Sequence, residues 1–105
     1  MPFTAKPFSA MWTLPQTEPA LVPVLIACYE SALACNNQFP FPSVRFRCPT
    51  ASPGALKRLV NLRIIEKGAL TRGGSRRYYS FRDLCSAERE MQALRLLPDP
   101  DNTHA

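Results

Sequence analysis

Histidine is nearly absent from this chain of 105 residues: the single copy, His104, stands next to last. Imidazole is the commonest acid–base group near neutral pH and a leading metal ligand, so its lack argues against most hydrolase and metal-centre chemistry. The four cysteines, Cys28, Cys35, Cys48 and Cys85, include no C-x-x-C pair. They are too sparse for a disulfide-held secreted scaffold and too far apart for a zinc knuckle, which points to a reduced, cytoplasmic protein. No phosphate loop of the G-x-x-x-x-G-K type occurs, nor a pair of acids beside a nucleophile. The expectation is therefore a non-enzyme with no cofactor and no bound metal. No apolar run approaches the ~18–20 residues of a membrane span. The segment from Met1 to Pro15 lacks the basic and apolar regions of a signal peptide.

What the chain does have is 46% apolar residues, enough for one modest core, and a net charge of +5. Proline divides it. Eight of the eleven prolines lie in the first 50 residues, and none falls between Gly54 and Leu97. Residues 1–17, with Phe3, Phe8, Met11 and Trp12, read as an extended arm too apolar to wave freely in water, which is expected to pack on its own domain or on a sister subunit. Residues 18–97 read as the domain, and 98–105 as a flexible tail. Glu18 to Cys35 predicts a buried helix, with Val22, Leu25, Ile26, Tyr29, Ala32 and Leu33 at helical spacing. Pro23 either kinks it or forms its true first turn. Gln38 to Pro42 is held extended by its prolines, and Ser43 to Arg47 allows one or two helical turns. Ser52 as cap and Pro53 at the first position then predict a helix over 53–62. Ile64 to Thr71 and Arg76 to Phe81 are β-prone around a Gly73-Gly74 hairpin turn. Asp83 or Ser86 caps a last helix running to about Leu97, where Pro98 stops it.

Successive helical residues stand about 100° apart, which puts Leu56, Leu59 and Val60 on one side of the 53–62 helix. Gly54, Lys57, Arg58 and Asn61 fall on the other, as one polar stripe. Arg and Lys can bond the major-groove edge of guanine, and Asn that of adenine. The same stripe would also serve as an ordinary solvated face. Its surroundings tilt the balance. From Gly54 to Arg82 there are eight cations (Lys57, Arg58, Arg63, Lys67, Arg72, Arg76, Arg77, Arg82) against one anion, Glu66. That segment carries +7 and the remainder of the chain −2. A field this one-sided suits a polyphosphate partner, since each neutralised phosphate releases counterions.

The run Ser52-Pro53-Gly54-Ala55-Leu56-Lys57-Arg58-Leu59-Val60-Asn61-Leu62-Arg63-Ile64-Ile65, followed by Arg72-Gly73-Gly74-Ser75-Arg76-Arg77-Tyr78-Tyr79-Ser80-Phe81, resembles the winged helix-turn-helix domain of bacterial transcriptional regulators. That resemblance implies an α+β fold, mostly helical, with a β-hairpin wing in the C-terminal half and a terminal helix. It implies double-stranded DNA as partner, with Lys57, Arg58 and Asn61 in the major groove and Arg72, Arg76 and Arg77 as wing contacts. The full candidate DNA-binding set is Ser52, Gly54, Lys57, Arg58, Asn61, Lys67, Arg72, Ser75, Arg76 and Arg77. Arg63 stands where the family commonly has glycine, so it must accept a left-handed backbone or find another cap.

Leu84, Ala87, Met91 and Leu94 are spaced like the seam of a short coiled coil, which predicts a homodimer through residues 83–97. Packing of that face on the chain's own core is the competing expectation. Buried cysteines acting as small hydrophobes are favoured over a thiol sensor. Two functions compete: a small dimeric repressor occupying a DNA operator, and a winged-helix adaptor that binds protein through the same basic face.

Overall fold

The computed structural model describes residues 10–70 and 77–97. Arg72, Gly73, Gly74, Ser75 and Arg76, expected as the tip of a wing, lie outside the described residues, as do 1–9 (with Phe3 and Phe8) and the expected tail, 98–105.

The chain enters through a 3-10 turn, Ala10–Trp12, and a short helix α1, Leu14–Thr17. An extended arm through residue 17 was expected from the prolines, and residues 10–17 depart from it. Met11 and Leu14 are buried in the core, and a helical turn is what brings side chains three apart onto one side. A second 3-10 turn, Pro19–Leu21, leads into α2, Val22–Ala34. Pro23 thus occupies the first turn of α2, where a missing N–H costs no helical hydrogen bond. Seven of the residues in α2 are buried, from Val24 to Ala32. A helix apolar nearly all round must be central, and α2 touches α3, α4, α5 and β1.

β1 is only Phe39–Pro40, and α3 follows at once as Phe41–Arg47, with Pro42 in its first turn. α4 spans Pro53–Asn61 and is capped as its sequence predicts: the Ser52 hydroxyl accepts from the Ala55 N–H at 3.2 Å. β2 (Glu66–Leu70) and β3 (Arg77–Ser80) form the antiparallel hairpin strands. β3 is the middle strand of an antiparallel sheet ordered β1-β3-β2. The pairing of β2 with β3 shifts register between Lys67 and Leu70. Gly68 sits in that irregular stretch, and a Cβ there would stand 3.2 Å from the Tyr78 carbonyl oxygen. Phe39 is fully buried and packs on Tyr79 and Phe81, with ring centres 6.2 and 6.1 Å away. The Asn37 side chain clamps the end of the sheet. Its amide donates to the Phe81 carbonyl and its oxygen accepts from the Phe81 N–H, both at 2.9 Å.

α5 covers Leu84–Ala93, with Asp83 as its cap. Its carboxylate accepts from the Ser86 N–H (3.2 Å) and hydroxyl (3.0 Å). The helix stops four residues short of the predicted Leu97 because Arg95 turns left-handed, at φ 63°. Half of the seam expected to form a dimer is covered within the chain itself. Ala87 and Met91 are buried in the core, and Leu84 and Leu94 pack half-buried against it. Heptad-like spacing records which face is apolar, not which surface covers it. The fold class is an α+β domain, as expected, and its antiparallel sheet gains a third strand, β1, where only an extended linker was expected.

Three helices end on left-handed residues that are not glycine: Asn36 (φ 62°), Arg63 (φ 64°) and Arg95 (φ 63°). After α4, the Arg63 N–H bonds the Val60 carbonyl (2.9 Å) and the Ile64 N–H reaches back to Leu59 (3.0 Å). α5 repeats the pattern, Arg95 to Gln92 and Leu96 to Met91. These paired bonds, with buried Leu59 and Ile64 packed in the same core, offset the cost of a left-handed arginine, about 1–2 kcal/mol. Arg63→Gly is expected to raise stability by about 0.5–1 kcal/mol, read as a higher urea midpoint. An unchanged or lower midpoint contradicts the cap assignment.

Candidate nucleic-acid interface

The inward face of α4 fixes its outward face. Leu56 and Leu59 are fully buried, so residues a half-turn away must face solvent. Gly54, Lys57, Arg58 and Asn61 are all exposed, as the spacing predicted. Ser52 serves as the cap described above. A Cβ at Gly54 would meet only the Ser52 hydroxyl, at 3.8 Å, so the surface beside the helix start is open.

The four stripe residues are not equivalent. Arg58 is held by Glu18, from the turn ahead of α2, with a guanidinium nitrogen 2.7 Å from a carboxylate oxygen and Nε within 3.0 Å of both oxygens. The guanidinium hydrogen bond and charge hold the Glu18 carboxyl below the ordinary range, and Glu18 raises Arg58 in return. Lys57 and Asn61 have no ion-pair or hydrogen-bond partner among the described residues. They are the free donors of the stripe.

Beyond the end of α4 the surface hollows into a groove of about 520 Å³, between the last turn of the helix and the start of β2. Val60 and Ile65 contribute its apolar part, and Asn61, Arg63, Lys67, Arg82 and Glu66 its polar part. Arg82 is tied to Glu66 at 3.2 Å. Arg63 and Lys67 are exposed and meet no carboxylate among the described residues. On the hairpin, the Arg77 guanidinium donates to the Gly68 carbonyl at 2.8 Å, which holds it against β2.

Of the predicted set, Gly54, Lys57 and Asn61 share one exposed face, and Lys67 joins Asn61 at the groove. Arg58 and Arg77 are engaged within the chain, and the placement of Arg72, Ser75 and Arg76 lies outside the described residues. Arg82 was counted only as charge in the sequence, and Arg63 as charge and as an exception at a helix end, yet both line the groove. The signal for Arg63 was its position, one residue past a helix end that asks for glycine.

Elsewhere, Cys28 and Cys48 are buried and Cys85 is exposed, and all four cysteines are free. Burial pushes the Cys28 thiol well up, with the nearby Cys48 adding to the shift, so it behaves as a small hydrophobe. Among the described residues, no helix is long and apolar enough to cross a membrane. No family model, no curated protein and no solved structure matches the chain.

The depressed Glu18 carboxyl fixes a sign for pH dependence. Its stabilising contribution is complete above the unfolded-state pKa and is lost as pH falls through the lower folded-state value. Because the pair is exposed, salt screens it. In low salt, the urea midpoint of Glu18→Gln is expected below that of wild type at neutral pH. The gap should close below about pH 4; a gap constant down to about pH 2 excludes this pair as its source.

Proposed function

We propose that this chain is a winged helix-turn-helix protein that binds double-stranded DNA, with α4 as recognition helix and the β2–β3 hairpin as wing. Its regulatory role is that of a small repressor occupying an operator. The observation that carries this reading is the continuous surface from Gly54, Lys57 and Asn61 on α4 to Arg63 and Lys67 at the groove. It is exposed, cationic, and free of carboxylate partners at Lys57, Arg63 and Lys67 among the described residues. A surface selected only for solubility would mix the signs of its charges.

Further support comes from the order of elements. A helix pair, α3 and α4, is followed directly by the hairpin, which sets α4 and Lys67, the cation of β2, on neighbouring surfaces. Lys57 and Asn61 suit the edges of bases, and Lys67 and Arg77 suit phosphates. A single recognition helix reaches only a few base pairs, so pairing on a two-fold site remains part of this proposal. Ala87 and Met91 do not supply that contact, because they are interior.

One observation favours the adaptor reading. Phe46 on α3 is 83% exposed, with the Arg47 guanidinium 5.8 Å from its ring centre. An aromatic left this open beside Arg45 and Arg47 is a familiar anchor at protein interfaces.

Fluorescence anisotropy with duplex DNA separates the two. DNA binding predicts an affinity that falls steeply with salt, with a slope of about −0.9 per phosphate neutralised. Asn61→Ala should flatten discrimination between duplex sequences by about 1–3 kcal/mol at one position. An Arg76→Ala/Arg77→Ala double variant should weaken binding to every duplex alike. Undiminished affinity in that double variant refutes the wing, and no binding even at low salt favours the adaptor.

A further inference from the structure

The strongest unassigned feature is the groove at the end of α4. A left-handed arginine alone marks nothing, since Arg95 adopts the same conformation after α5. In both places a cation suits the negative end of a helix dipole. What distinguishes Arg63 is its company. It lines the groove with Lys67 and Arg82, and also borders a second hollow of about 340 Å³ whose polar lining includes Arg82, Ser86 and the carboxylates Asp83 and Glu90. Around the groove stand three cations against one carboxylate, Glu66, and that carboxylate is taken by Arg82 at 3.2 Å. Arg63 and Lys67 form no direct ion pair among the described residues, although Asp83 and Glu90 stand across the second hollow from Arg63. Asn61, at the end of the recognition stripe, adds an amide to the same rim.

We infer that this groove seats a phosphate of the DNA backbone, with Arg63 as its principal ligand and Lys67 beside it. This rests on the DNA-binding reading and deepens it. Bases would meet Lys57 and Asn61 on the helix, while the adjoining phosphate meets the groove. Guanidinium is the side chain suited to a phosphate because its fork bonds two oxygens at once. That chemistry supplies a reason for arginine where the backbone would accept glycine more comfortably.

The cap geometry makes the test clean. Arg63→Gly suits the left-handed backbone, so the fold is retained while the guanidinium is removed. Arg95→Gly makes the same change of backbone and of charge at the end of α5, outside both hollows. Each variant and the wild type are titrated with one duplex from about 50 to 200 mM salt. Arg63→Gly is expected to bind about eightfold more weakly near 0.1 M salt, with a salt slope shallower by about 0.9, the contribution of one phosphate. Arg95→Gly is expected to match the wild type in both. Wild-type affinity in Arg63→Gly overturns the phosphate seat while leaving DNA binding intact, and equal losses in both variants overturn it as a bulk charge effect. Failure of the wild type to bind any duplex overturns both proposals. A free anion is the other source of the same chemistry. If inorganic phosphate raises the wild-type Tm but not that of Arg63→Gly, and the two bind duplex equally, the groove takes free phosphate and the backbone assignment falls.

Discussion

The burial of Leu56 and Leu59 is the constraint on which the remaining surface depends. Both side chains are fully covered, and removing either would open a cavity costing about 2–5 kcal/mol. While they point inward, α4 cannot rotate, and Gly54, Lys57 and Asn61 must point outward. The same packing reaches Ile64 and Ile65, which carry the chain from the helix into β2. The exposed face of the helix and Lys67 on the strand are therefore positioned by one set of buried contacts.

Around this anchor the domain is closed by short, specific devices. Ser52 and Asp83 cap α4 and α5. Asn37 bridges the end of β3 with two hydrogen bonds of 2.9 Å, serving as a side-chain substitute for strand pairing where β1 is only two residues long. Among the described residues, the Ser31 hydroxyl is the one buried polar side-chain atom left without a hydrogen-bond partner. The core is therefore nearly free of polar conflict.

Much of this was legible in the sequence because it is local. Ser52-Pro53 announces a helix start, and the alternation of Leu56, Leu59 and Val60 with Lys57, Arg58 and Asn61 orients it. The hairpin strands were placed within two residues of their observed bounds by β-prone runs on either side of Gly73-Gly74. What escaped was non-local. The Glu18–Arg58 pair joins positions 40 residues apart, and no spacing rule reveals it. The apolar face of α5 was visible, but whether a second chain or the interior would cover Ala87 and Met91 was not written in their periodicity. Prolines near residues 10–17 suggested extension, and the pull of Met11 and Leu14 into the core prevailed. Arg63 was seen as an exception to a capping preference, and its value as a groove residue emerged only when Lys67 and Arg82 were found beside it.

The central claim is that one face, α4 with the adjoining groove, meets duplex DNA. The most direct measurement is an NMR titration of the isotope-labelled full chain with a short duplex, following backbone amide signals residue by residue. The account predicts shifts concentrated at Gly54, Lys57, Asn61, Arg63 and Lys67, with the exposed side of α3 around Phe46 unmoved. Shifts confined to α3, or no shifts at low salt, would contradict it.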